Sequence, residues 1–188
     1  VRKVLNKYDA ISVGEIVSED PLNIIGEYAN DQRLHMAYCF EFLSEDFNFS
    51  DTNKIVDQFF HNNPNSWPCW SFSNHDSMRI TSRINKSSKE IMKKLLELKG
   101  NICIYQGEEL GLHETEVKFE DLKDPFGKNF WPEFKGRDGC RTPMPWNSKK
   151  INLGFSDAKP WLPVNSAYAA KSAKQQHNDP DSMLNYTK

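Results

Sequence analysis

Short apolar runs recur along the chain at Ile11–Val13, Met36–Phe42, Pro68–Phe72 and Ile102–Tyr105, and each is continuous rather than alternating. Strands buried on both faces read this way, so the pattern predicts a parallel sheet covered by helices. The last three runs begin about 33 residues apart, an interval that fits one strand, one crossover helix and their loops. Helical filler is legible in two of the intervals. Ser87-Ser88-Lys89-Glu90 is a capping box, and Ile91, Met92, Leu95, Leu96 and Leu98 follow it as an apolar stripe at helical spacing that Gly100 stops. Asp51 or Thr52 caps a second helix carrying Ile55, Val56, Phe59 and Phe60, ended by Asn62, Asn63 and Pro64.

After the fourth run the texture changes. Gly107 to Trp146 is rich in glycine and proline, with aromatic residues scattered at no sustained period. Such a long excursion in an α/β protein is more often functional than a linker, and it is expected to fold over a cleft. Tyr168 to Gln176 is predicted as a helix, and Asp179-Pro180 as the start of another. Val1 to Tyr8 reads as the tail of a helix feeding the first strand, and the last helix stops in its early turns at Lys188. Four parallel strands would leave two unpaired edges, so the chain is expected to be a piece of a larger sheet.

Composition narrows the partners. At 188 residues with a formal net charge of −2, the chain has room for one core and no global field to attract nucleic acid or an anionic membrane. Lys89, Lys93, Lys94 and Lys99 cluster, but on a helix face that solvent accounts for. No apolar run approaches the ~18 residues of a membrane span, and Val1-Arg2-Lys3-Val4 opens no signal-peptide core. Cys39, Cys69, Cys103 and Cys140 are widely spaced, without zinc spacing, and read as reduced buried thiols of a cytoplasmic protein.

Two carboxylates, Glu15 and Asp76, each close an apolar run, at the carboxyl end of a predicted strand, where parallel α/β proteins keep their chemistry. A carboxylate pair aimed at one cleft is the minimum equipment for cleaving a glycosidic bond. Around them stand four segments in order: Ser12-Val13-Gly14-Glu15-Ile16, Phe72-Ser73-Asn74-His75-Asp76, Tyr105-Gln106-Gly107-Glu108-Glu109-Leu110-Gly111-Leu112, and Gly136-Arg137-Asp138-Gly139-Cys140-Arg141-Thr142-Pro143-Met144-Pro145-Trp146. Together they resemble the second half of an α-glucosidase of the α-amylase superfamily, glycoside hydrolase family 13. Asp124 to Trp146, with Phe130-Trp131-Pro132-Glu133-Phe134-Lys135, is similar to the bacterial exo-acting members.

The resemblance implies an α/β fold, a partial (β/α)8 TIM barrel in which the four runs are strands five to eight with a long loop after strand eight. Residues 1–188 would then be the second half of a catalytic barrel, without its first half or a C-terminal β domain. Glu15 matches the general acid/base, a role that a partly apolar surround of Val13, Ile16 and Val17 would serve. Asp76 matches the aspartate that stabilises the oxocarbenium-like transition state, and His75 the histidine that bonds the same sugar. Arg141 matches the arginine that recognises a terminal glucose, its alternative being a loop ion pair with Asp138. Phe130 and Trp131 are the aromatic candidates for lining the entrance. Arg79 is expected in a structural salt bridge, Asn74 in a turn, and Glu108-Glu109 in a structural role.

The family's nucleophile segment, of Gly-Phe-Arg-x-Asp type, has no match in this chain. No metal site or cofactor is expected among these residues, and a calcium or magnesium site, where the family bears one, falls in the missing first half. The reading is therefore part of a retaining exo-α-glucosidase acting on α-glucoside oligosaccharides or sucrose, inactive without the remainder of the barrel. A transglycosylase or sucrose isomerase of the same superfamily, or a non-catalytic truncated relic, are the alternatives.

Overall fold

Four parallel strands lie side by side in chain order: β1 (Val13–Gly14), β2 (Met36–Cys39), β3 (Pro68–Trp70) and β4 (Asn101–Ile102). Val13 stands opposite Met36, Ala37 opposite Pro68, and Cys69 opposite Asn101. A parallel order without reversal is that of a β/α barrel wall rather than of a doubly wound sheet, which has a switch point. The structure, a computed structural model, describes residues 1–44 and 46–188. They form two units: Val1–Phe72 with Lys93–Cys103, which holds the sheet, and Ser73–Met92 with Ile104–Lys188.

The strands are shorter than the apolar runs that announced them. Phe42 and Phe72 leave the ladder yet remain fully buried, because apolar continuity reports burial and not pairing. Ile11 stays outside β1 and is 73% exposed. The core of the first unit is aromatic: the Trp70 ring lies 5.1 Å from Phe42 and 5.6 Å from Phe59, and its Nε1 donates to the Lys99 carbonyl at 2.7 Å.

Helices of this unit follow local signals. α1 (Arg2–Lys7) is tied down by the Arg2 guanidinium, which donates to the carbonyls of Asn30, Asp31, Arg33 and Leu34. α2 (Pro21–Tyr28), which the periodicity did not predict, starts with Asp20 accepting from the Asn23 amide and proline in the first turn. α3 (Thr52–Asn62) has the expected bounds, although Asp51 makes no side-chain cap and the Thr52 hydroxyl donates to the Phe49 carbonyl.

α4 (Ile80–Arg83) belongs to the second unit, and α5 (Ser88–Leu96) runs from the second unit into the first. Both halves of its capping box form: the Ser87 amide and hydroxyl donate to the Glu90 carboxylate, and the Glu90 amide donates back to Ser87 Oγ. Ile91, Met92, Leu95 and Leu98 are buried, whereas Leu96 faces out.

The remaining helices of the second unit are α6 (Pro125–Asn129), α7 (Ala173–His177) and α8 (Met183–Thr187). They accompany two apolar clusters, Leu110, Leu112, Met144 and Tyr168, and Val117, Leu122 and Leu162. The single helix expected over Tyr168 to Gln176 is broken at Ser172 into a 3-10 turn and α7. The amides of Ala173 and Lys174 are drawn to the carbonyls of Pro145 and Trp146, so they leave the preceding turn. α8 starts later than expected, because Ser182 and not Asp179 accepts from the Asn185 amide as its cap.

Arg79 also departs from expectation. It is buried, but no carboxylate reaches its guanidinium among the described residues. Nη1 donates to the Gln106 carbonyl and Nη2 to the Cys140 carbonyl, 2.8 and 2.9 Å away, and the group lies over the Tyr105 ring. Glu114 instead accepts from the Arg79 amide. The four cysteines are free thiols, and burial pushes Cys39 and Cys140 up to about 12 and Cys69 up to about 11. Among the described residues, no helix is long and apolar enough to cross a membrane.

Two stability predictions follow from these cores. Trp70→Ala removes a fully buried ring and its hydrogen bond, and should lower unfolding free energy in urea by about 3–5 kcal/mol. Glu108 is buried and pushed up to about 7, chiefly by loss of solvent, against bonds from the Tyr105 amide and Ser73. The folded state therefore keeps this proton where the unfolded state has lost it, so stability should decline as pH rises from the ordinary glutamate range to about 7. Glu108→Gln should flatten that decline in pH-dependent denaturant titrations.

Candidate functional site

The loop after β3 is turned by Asn74, whose carboxamide oxygen accepts from the Asp76 amide at 2.9 Å and the Ser77 hydroxyl at 3.0 Å. That turn presents His75 and Asp76 at the surface of the second unit. His75 Nε2 lies 3.4 Å from Asp76 Oδ2, and the Asp76 side chain keeps 42% of its exposure. Two guanidinium groups converge on the other carboxylate oxygen. Arg141 Nη2 donates to Asp76 Oδ1 at 2.6 Å while its Nε donates to the His75 carbonyl, also at 2.6 Å. Arg137 Nη1 donates to the same Oδ1 at 2.9 Å. The alternative for Arg141, a loop ion pair with Asp138, is not formed among the described residues; Arg141 pairs with Asp76.

Sequence reasoning did not single out Arg137 or its partner Asp124. Asp124 is buried beneath the site and receives Arg137 as a two-pronged fork, Nε to Oδ2 at 3.0 Å and Nη2 to Oδ1 at 2.9 Å. Its Oδ2 also accepts from the Arg137 amide at 2.8 Å. The Arg137 fork holds the Asp124 carboxyl well below the usual carboxylate range, and Asp124 in turn raises Arg137. Asp138, fully buried, reciprocates by accepting from the amides of Lys123 and Asp124. A signal was present in the sequence: Asp124-Pro125 is a helix start, and Asp124 does accept from the Phe126 amide to cap α6.

The two segments meet because neither has a side chain at the contact. A Cβ on Gly136 would stand 2.7 Å from Gly127 Cα, and one on Gly127 would stand 2.7 Å from the Lys135 carbonyl oxygen. Gly136 also has φ +81°, the left-handed region that favours glycine.

The other expected residues fall in different surroundings. Glu15 follows β1 in the first unit and is exposed, as are Val13 and Val17, while Ile16 is half-buried. The apolar surround expected for Glu15 is therefore not formed by these neighbours. Its charge is felt by Tyr38, whose phenol is pushed up to about 12 by the Cys103 hydrogen bond first, then burial, with Glu15 a smaller cause. Phe130 is exposed and stacks 6.1 Å from Phe126, whose ring lies beneath the Arg137 guanidinium. Trp131 packs against the Val117, Leu122 and Leu162 cluster, with Lys135 over its ring.

A family model described as alpha amylase, catalytic domain, matches residues 1–188. A probable alpha-glucosidase of Rhizobium meliloti is 43% identical, covering 98% of this chain and 35% of that protein. An oligo-1,6-glucosidase of Heyndrickxia coagulans is 30% identical, covering 98% of this chain and 40% of the relative. The crystal structure of an alpha-glucosyl transfer enzyme superposes with a TM-score of 0.91 at 44% identity, over 98% of this chain and 36% of that one. The chain thus spans somewhat over a third of the length of the proteins it matches.

The buried carboxylate gives the site an acid signature. Because folding depresses Asp124, its contribution to stability is present above the unfolded aspartate range of about 3.9 and is lost as pH falls through the folded value. Asp124→Asn should be less stable than the parent near neutrality, with the difference narrowing below about pH 4 when unfolding is followed by circular dichroism.

Proposed function

The chain belongs to the alpha-amylase catalytic-domain family, and on that premise we propose that it carries part of the active site of a retaining exo-acting α-glucosidase. β1 to β4 would be strands five to eight of the (β/α)8 barrel. The observation that carries the reading is the Asp76 cluster: a solvent-facing carboxylate with His75 on one oxygen and two guanidinium groups on the other.

In this reading Glu15 protonates the departing glycosidic oxygen and later takes a proton from water. Asp76 stabilises the positive charge that grows on the sugar ring, and His75 bonds the same sugar. Arg141 supplies the donors for a terminal glucose, since its Nη1 hydrogens meet no acceptor among the described residues. Phe130 and Trp131 are the aromatic candidates for the sugar's C–H groups, Phe130 as an exposed ring and Trp131 as a half-buried one packed against the Val117, Leu122 and Leu162 cluster. The attacking carboxylate, needed about 5 Å from the acid in a retaining enzyme, has no candidate segment here. The substrate class is a terminal α-linked glucose in maltose-like oligosaccharides or sucrose.

A second reading, glucosyl transfer instead of hydrolysis, is favoured by the likeness to the transfer enzyme. Both share these residues and differ in what accepts the glucosyl group.

The 188 residues alone should release no glucose above background from maltose, sucrose or an aryl α-glucoside. Turnover that Glu15→Gln abolishes would overturn the expected inactivity. With the barrel completed, product analysis on sucrose separates the readings: free glucose plus fructose marks hydrolysis, and new disaccharides mark transfer or isomerisation.

A further inference from the structure

We propose that Asp124 is a positioning residue that fixes the Asp76 carboxylate through Arg137. Among the described residues Asp124 bonds neither His75 nor Asp76 directly; its link to Asp76 runs through Arg137, whose guanidinium and backbone amide it holds. That guanidinium is constrained on three sides. Nε and Nη2 are engaged by the Asp124 fork, Nη1 is engaged by Asp76 Oδ1, and the plane lies over the Phe126 ring at 5.4 Å. An arginine held so has no rotamer freedom to follow Asp76; Asp76 must follow it.

The consequence is an asymmetric carboxylate. Oδ1 accepts from both arginines, whereas Oδ2 has His75 at 3.4 Å. Oδ2 is the oxygen left for a ligand. The two arginines of the Gly136-to-Trp146 segment therefore divide the work: Arg137 is used up as a strut, and Arg141 retains donors. The catalytic meaning of this arrangement rests on the α-glucosidase reading of Asp76; the geometry does not.

Asp124→Asn separates positioning from mere capping. Asparagine caps a helix as well as aspartate does, but it cannot accept both prongs of the fork or neutralise Arg137. The measurement is made on the 188-residue chain by NMR, with circular dichroism reporting the fold. In Asp124→Asn the Arg137 Nε proton should exchange about tenfold faster or more, since hydrogen bonds to charged groups are the strong ones. The Asp76 χ1 couplings should shift from one rotamer toward an average, while the Ser87–Glu90 capping box keeps its amide shifts. Arg137→Lys, which keeps the charge and loses the fork, should average Asp76 in the same way, and it serves if Asp124→Asn does not fold. A single Asp76 rotamer retained in either folded variant would overturn the proposal. No turnover enters the readout, so failure of hydrolysis leaves this result standing, and a fixed Asp76 in Asp124→Asn leaves the glycosidase reading standing.

Discussion

The candidate site depends on one reciprocal clamp between two chain segments. Asp138 holds the backbone of Lys123 and Asp124, and Asp124 holds the backbone and guanidinium of Arg137. Each carboxylate is buried, so each would be costly if its donors were withdrawn. The bonds engage both oxygens of Asp124 and Oδ2 of Asp138, leaving Asp138 Oδ1 without a partner among the described residues, and the by-product is a guanidinium fixed at the surface. Asp76 is then oriented by a charge that cannot move. The clamp in turn depends on the contact of Gly127 with Gly136, where a single methyl group would part the backbones.

The two units solve burial by different means. The first is a sheet whose helices pack aromatic rings around Trp70. The second has little regular structure and substitutes polar bonds for it: Arg79 serves the carbonyls of Gln106 and Cys140, the Thr81 hydroxyl serves that of Leu112, and the Gln176 carboxamide serves those of Leu110 and Lys171. Irregular backbone leaves carbonyls without ladder partners, and buried side chains supply the donors. This explains why a buried arginine found carbonyls where an acid had been expected.

What was legible in the sequence was what local chemistry decides. α5 could be read because its capping box and apolar stripe lie within one dozen residues, and α3 for similar reasons. α2 is short and contains Gly26, so its cap at Asp20 was not supported by a clear stripe. The broken helix at Ser172 was decided by carbonyls of Pro145 and Trp146, far away in the chain. In the site, Asn74 could be read as a turn residue, and His75 with Asp76 as its cargo, because the signal is contiguous. The Asp124–Arg137 pair could not, since it exists only once two glycine backbones touch. The motif that contains both Arg137 and Arg141 carries no mark of which one Asp124 holds.

The buried thiols sit in both units: Cys39 and Cys69 in the first, Cys140 in the second. A thiol pushed up to about 11 or 12 is almost wholly protonated near neutrality, and an alkylating reagent needs the thiolate. Each of these three thus becomes reactive only when its own surroundings open to water. The chain carries its own internal reporters, one set per unit, by which the opening of the sheet and the opening of the clamp-bearing loop can be timed separately without introducing a foreign label.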